Sequence, residues 1–291
     1  MDIFASRAGD RAEAVQIERA HTDAMNDQSF RFRAARRVRR PAAPKRRAPP
    51  PKPVLIVLHQ EHSTPGRVGR LIAARGHALD IRKPRYGDPL PATMRDHAGA
   101  VIFGGPMSAN DPDDFVKAEI DWINVCLREE APYLGICLGA QMLTRTLGGT
   151  VYPHAQGRAE IGYYGLVPTE AGANHAAEAG FAWPATVYQW HREGFDCPAG
   201  AECLATGADF PVQAIRSGPR AYGVQFHPEV TPAMMCRWSV RGYERTLMPG
   251  AQPRHQHLEG WYQHDPAIRA WLDAFLDHWL AAPADAEPAS A

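Results

Sequence analysis

From Tyr133 to Leu147 the chain reads a short apolar run, then Gly135-Ile136-Cys137-Leu138-Gly139, then a helix-forming stretch that stops at Gly148-Gly149. No other segment restricts the fold as much. A strand that passes straight into a helix through Gly-x-Cys-x-Gly needs residues without side chains on both flanks, because the sharp turn presses strand and helix together. Such a strand belongs to a sheet whose crossovers are helices. The chain from Val54 onward repeats that rhythm. Val54–His59 is a β-branched apolar run of the kind buried on both faces, and Val68–Arg75 reads as a helix ended by Gly76. Ala78–Arg82 and Ala100–Phe103 are strands. A helix runs from Asp113 or Asp114 to Glu129, with Val116, Ile120, Ile123 and Leu127 as its inward stripe. The fold class expected is α/β, an open, mostly parallel central sheet with helices on both faces.

Beyond Thr150 the spacing shortens. Strands over Ile161–Val167, Thr186–Trp190, Glu202–Ala205, Val212–Arg216 and Ala221–Phe226 predict a smaller antiparallel region. Helices are expected over Met234–Glu244 and Ala267–Leu280, the second with a packing stripe of Trp271, Phe275 and Trp279.

The 291 residues are 45% hydrophobic and 22% charged, an ordinary globular balance. The best apolar run, Val54–Leu58, falls far short of the ~18 residues a membrane span needs, so no membrane contact is expected. A net charge of zero hides an asymmetry: residues 1–53 hold 13 Lys and Arg against 6 Asp and Glu, whereas the remainder holds 19 against 26. Residues 1–53 therefore read as a disordered basic, Pro/Arg-rich extension. Residues 54–282 read as one domain with helices over 233–282 packed on it, and 283–291 as a frayed tail. The acidic domain offers no nucleic-acid footprint, so such binding is expected at most weakly, through the basic arm. Five cysteines, an odd number with no C-x-x-C pair and no secretory leader, point to a reducing compartment, the cytoplasm.

Cys137 would stand at a helix N-terminus, where unpaired N–H groups favour a thiolate. A thiolate nucleophile calls for a base and an orienting partner. Gln225-Phe226-His227-Pro228-Glu229 supplies both at the end of an apolar strand, with Pro228 fixing the backbone between His227 and Glu229. Strand C-termini gather along one edge of an open α/β sheet, so His227 can reach Cys137. Gly104-Gly105-Pro106, after another strand, lets the Gly105 N–H approach a ligand and act with that of Leu138 as an oxyanion hole. Each piece has a bland alternative: a buried thiol, a solvated turn, a tight turn.

Taken together and in this order, the three motifs resemble the class I, or triad, glutamine amidotransferases over roughly Val54 to Pro232. The resemblance is strongest to the glutaminase domain of GMP synthetase and its free-standing bacterial relatives. It implies the flavodoxin-like fold of that family and an enzyme that hydrolyses glutamine through a γ-glutamyl thioester. By that resemblance Cys137 is the nucleophile, His227 the base and then acid, and Glu229 its orienter. Gly105 and Leu138 would form the oxyanion hole, and Gln141 would help to hold the substrate. His191-Arg192-Glu193 offers a second His-x-Glu pair. Without a rigid proline it ranks below His227, and His191 is expected to line the substrate pocket.

No metal or organic cofactor is required for these steps. His255, His257 and His264 lack ligand spacing, and Pro65-Gly66-Arg67-Val68-Gly69 lacks a phosphate-binding fingerprint. Too few residues follow Glu229 for a synthetase domain, so the ammonia acceptor is expected on a partner subunit. The alternative is a stand-alone γ-glutamyl amide or peptide hydrolase with the same triad. A non-catalytic binding module is the remaining class, and the presence of all three triad residues argues against it.

Overall fold

Val54, Leu55, Ile56 and Val57 make up β1 (Val54–Val57), and none of the four exposes any surface. Successive side chains of a strand point to opposite faces. Val54 and Ile56 therefore enter one apolar core while Leu55 and Val57 enter another. Each such side chain contributes about 1.5–3 kcal/mol relative to exposure. Two buried faces demand a layer of helices on either side.

The computed structural model describes residues 50–281. The expected basic extension, apart from residues 50–53, and the tail from 283 lie outside them. Within the described residues β1 lies between β2 (Leu79–Arg82) and β3 (Gly99–Ile102), parallel to both. β4 (Tyr133–Ile136) pairs parallel with β3. Off the main sheet, β5 (Val151–Pro153) pairs with β9 (Glu193–Phe195), and β6 (Glu160–Gly165) with β8 (Thr186–His191). The main sheet is completed by β7 (Val167–Pro168), β10 (Ala201–Thr206), β11 (Ala214–Ser217) and β12 (Ala221–Val224). Its order is β2-β1-β3-β4-β12-β11-β10-β7, parallel as far as β12 and antiparallel beyond. The expected fold class is the one observed, an open, mostly parallel sheet with small antiparallel ribbons beside it.

Among the described residues six α-helices cover these strands: α1 (Gly66–Ala74), α2 (Asp114–Arg128), α3 (Leu138–Thr146), α4 (Glu170–Ala179), α5 (Pro232–Arg241) and α6 (Arg254–Leu280). The core on one face joins Val68 and Ile72 of α1 to Trp271, Phe275 and Trp279 of α6. Trp271 and Phe275 stack with ring centroids 5.2 Å apart, so the aromatic stripe packs as its spacing predicts. The opposite core holds Val116, Ile123 and Cys126 of α2 with Met142 and Leu143 of α3. A third cluster, including Ile161, Tyr188, Trp190, Met235 and Ile268, seats the β6–β8 ribbon on α5 and α6. Among the described residues no helix is long and apolar enough to cross a membrane.

The short strands β5 and β9 lie outside the sequence reading, and two helices depart from it. α6 begins at Arg254, not after Pro266, and carries that proline inside. Proline forfeits one bond to the carbonyl four residues earlier. That residue, Tyr262, is 82% exposed, so water can take the freed acceptor. α4 has no strong apolar stripe to reveal it, burying only Gly172, His175 and Ala176. Its signals are its ends: the Thr169 side chain accepts from the Gly172 N–H at 3.0 Å, and Gly180 closes it in the left-handed conformation.

Candidate active site

Cys137 is the residue between β4 and α3, with φ +51° and ψ −102°. Only one other non-glycine among the described residues, Glu130, has positive φ. Such backbone strain costs of order 1–3 kcal/mol and persists only where the surroundings over-determine it. Here they do. The Cys137 N–H donates to the Val224 carbonyl at 2.8 Å, and its own carbonyl accepts from the Gln141 N–H at 3.0 Å. A Cβ on Gly135 would stand 2.6 Å from the Ala140 nitrogen, and one on Gly139 2.8 Å from the Ile102 carbonyl carbon. Both flanking glycines are therefore steric requirements of the elbow.

The same Val224 starts the path to the histidine. β12 ends there, and the Gln225 N–H donates to the Gln213 carbonyl at 2.8 Å. Phe226 then plugs the core against Trp271, with ring centroids 5.2 Å apart. The His227 N–H donates to the Tyr188 carbonyl of β8 at 2.8 Å. The imidazole meets Trp238 of α5 edge-on at 4.9 Å between centroids, and its Nδ1 bonds Glu229 Oε1 at 2.8 Å. Both side chains are nearly fully buried. Nε2 is buried without a hydrogen-bond partner among the described residues.

Burial works against an imidazolium at His227. The Glu229 carboxylate and then Cys137 more than offset it and raise the group to about 10. Gly104 keeps the space between Cys137 and His227 open. A Cβ there would lie 2.8 Å from His227 Cε1 and 3.4 Å from Cys137 Cβ. The other cysteines are placed differently. Burial pushes the Cys126 thiol up to about 12, and it also raises Cys197 and Cys203.

Gly105 and Leu138 face each other across the same floor, a Cβ on Gly105 falling 3.0 Å from Leu138 Cδ2. Leu138 opens α3, so its N–H lacks an intrahelical acceptor. Gln141 is buried one turn further on and donates to the Glu193 carbonyl at 3.0 Å and Gln225 Oε1 at 3.2 Å. His191 lies elsewhere than its expected place on the pocket wall. Its Nε2 bonds Glu160 at 2.9 Å, its Nδ1 bonds the Glu193 carbonyl at 2.9 Å, and Phe210 packs on the ring. Its neighbour Trp190 lines the cavity instead. Alternation along β8 explains this: adjacent residues face opposite ways.

Cys137, His227 and Glu229 line a cavity of about 450 Å³, whose lining also holds Arg85, Arg237, Arg241 and Arg245 with Glu61 and Glu244. One buried pair at this site escaped the sequence reading. His59 follows β1 and is bonded to Glu119 of α2, with neither side chain exposed. Its position at the C-terminal edge of a central strand was the available signal.

The sequence model of the family described as Glutamine amidotransferase class-I matches residues 68–235, a span that includes Cys137, His227, Glu229 and both glycine turns but not His59. The glutamine amidotransferase-like protein YfeJ of Salmonella typhimurium is 31% identical over 61% of this chain and 76% of its own length. The glutamine-hydrolysing GMP synthase of Thermomicrobium roseum is 38% identical over 45% of this chain, which spans only 23% of that protein. Among solved structures, a glutamine amidotransferase from Methylobacillus flagellatus superposes with a TM-score of 0.72 at 26% identity, over 79% of this chain and 94% of that one.

Proposed function

The chain belongs to the class I glutamine amidotransferase family, and on that premise we propose that it hydrolyses the side-chain amide of glutamine through a thioester on Cys137. The observation that carries the reading is the strained Cys137 beside a histidine whose far nitrogen is bonded to Glu229, with a side-chain-free residue between them. The Cys137 sulfur attacks the carboxamide carbon, and the carbonyl electron pair moves onto oxygen. The N–H groups of Gly105 and Leu138 hold that oxyanion. As the carbon–nitrogen bond breaks, His227 Nε2 gives its proton to the departing nitrogen, and ammonia leaves. Water then attacks the thioester and yields a proton to His227. The carbon–sulfur bond breaks, and glutamate is released. Glu229 holds the ring and offsets its charge throughout, while Gln141 braces the substrate side through the Glu193 carbonyl.

The ammonia is proposed to pass to an acceptor on a separate synthetase-type subunit, as the likeness to GMP synthases suggests, and the setting proposed is the cytoplasm. A second reading has its own support. The cavity is as large as those that hold drug-sized ligands, and a free amino acid fills only part of it. A γ-glutamyl amide with a larger leaving group would use the remainder, and one bearing carboxylates could meet the arginines of the lining.

Ammonia release from glutamine by the purified chain, beside γ-glutamylglutamate and a γ-glutamyl polyamine, tests both. Glutamine turnover supports the first reading. Preferred cleavage of γ-glutamylglutamate supports the second, and no turnover of any of them contradicts both. Gly104→Ala should reduce turnover about 100-fold through displacement of His227, with an unchanged thermal midpoint within a few degrees. Full activity in that variant would contradict the packing described.

A further inference from the structure

His59 is absent from the cavity wall that the proposed reaction uses, yet it is wholly buried directly beneath the oxyanion loop. Its Nδ1 lies 3.2 Å from the Gly104 carbonyl oxygen and its Nε2 2.8 Å from Glu119 Oε2. A carbonyl can only accept, so Nδ1 carries a proton and donates it. The remaining bond to Glu119 holds a second proton, on nitrogen or on the carboxyl. Glu119 Oε1 is buried without a hydrogen-bond partner among the described residues, so the bond to His59 through Oε2 is the one this carboxyl group makes among them.

The consequence follows from peptide geometry. The Gly104 carbonyl and the Gly105 N–H belong to one planar trans unit and point in opposite directions. Anchoring the carbonyl on His59 therefore fixes the direction of the Gly105 N–H, which is turned away from that ring nitrogen. Two glycines in succession would otherwise leave this peptide free to rotate. Space is tight as well: a Cβ on Gly105 would stand 3.1 Å from His59 Cβ. α2, which carries Glu119, packs on the sheet through Val116 and Ile123, so the anchor is tied to the core and not to another loop.

We infer that His59 and Glu119 are positioning residues that set the oxyanion hole by clamping the Gly104–Gly105 peptide from behind. The inference rests on the proposed glutamine hydrolysis for its kinetic consequence, but not for its structural one. Loss of one oxyanion donor lowers turnover by about 10²–10³-fold in enzymes of known mechanism. His59→Ala is expected to lower kcat toward that range with KM for glutamine little changed. His59→Asn keeps a nitrogen donor at the Nδ1 position and should recover most of the loss. Glu119→Gln keeps an acceptor for Nε2–H and should fall between the two.

The experiment measures three quantities on the full chain: kcat and KM for glutamine, the rate of Cys137 alkylation by iodoacetamide, and amide hydrogen exchange at Gly104 and Gly105. Alkylation forms no oxyanion, so it should proceed at the wild-type rate in His59→Ala, whereas exchange at Gly104 and Gly105 should accelerate. A kcat unaffected by His59→Ala would overturn the inference. So would a parallel fall in alkylation, which would mean general collapse of the site, or no gain from asparagine. If the wild type fails to turn over glutamine, the functional reading fails instead. The exchange comparison then decides the clamp by itself, unaltered exchange overturning it.

Discussion

Cys137→Ala is expected to lower glutamine turnover by on the order of 10⁶-fold, because removal of a nucleophile leaves only binding and the oxyanion hole. His227→Ala should match it, since the same proton must be delivered to the leaving nitrogen and recovered from water. Glu229→Ala should cost less, on the order of 10⁴-fold, in line with an orienting group that transfers no proton. Ammonia release under saturating glutamine checks all three, and equal, mild losses would contradict the assignment. A pH profile separates the orienter's role further. His227 is raised to about 10 because Glu229 and Cys137 outweigh the effect of burial. It therefore keeps its proton through neutral pH, and activity should fall on the alkaline side as pH rises through that value. Without Glu229 the alkaline limb should move to lower pH. Stability follows the same sign: the raised histidine's contribution is complete below its unfolded value of ~6.5 and is lost as pH rises through about 10. A limb that stays in place in Glu229→Ala would contradict the pairing.

Gly139→Ala is expected to reduce stability by about 3 kcal/mol, the upper part of the usual cost of overpacking. The added methyl would press on the Ile102 carbonyl. That carbonyl belongs to β3, a strand paired on both sides and buried on both faces, so it has no room to give. Gly148→Ala provides the contrast. Gly148 has φ +80°, but a methyl added there would meet no atom of the described residues within 4 Å, so only backbone strain of about 1–2 kcal/mol applies. Urea midpoints of the two variants check the argument. Equal costs would show that conformation, not contact with β3, makes Gly139 necessary.

The sequence discloses those parts of the molecule that are local and repetitive. β1 is visible because both of its faces are buried, and the elbow because its glycines flank a single larger residue. The His227–Glu229 pair is visible because Pro228 and the strand before it fix the two residues together. What the sequence hides is set by distant partners. α4 is held by caps and by close approach of Gly172 to the Leu204 carbonyl, not by an apolar stripe. Pro266 lies inside α6 because packing of Trp271, Phe275 and Trp279 outweighs one lost hydrogen bond. His191 is a polar residue on a strand, and only the position of Glu160 in the neighbouring strand decides which way it serves. His59 stands 60 positions before its partner Glu119, and no spacing rule joins them.

The pairing of β4 with β12, Ile136 opposite Val224, acts as a ruler with whole-residue divisions. Cys137 is hung from the mark at Val224 by one hydrogen bond, and His227 lies three divisions beyond it. A slip of one division would turn His227 to the opposite face. Errors of assembly at this site are therefore discrete. A partly damaged preparation should contain a smaller fraction of fully active molecules, not a full complement of sluggish ones, and titration of reactive Cys137 would count them.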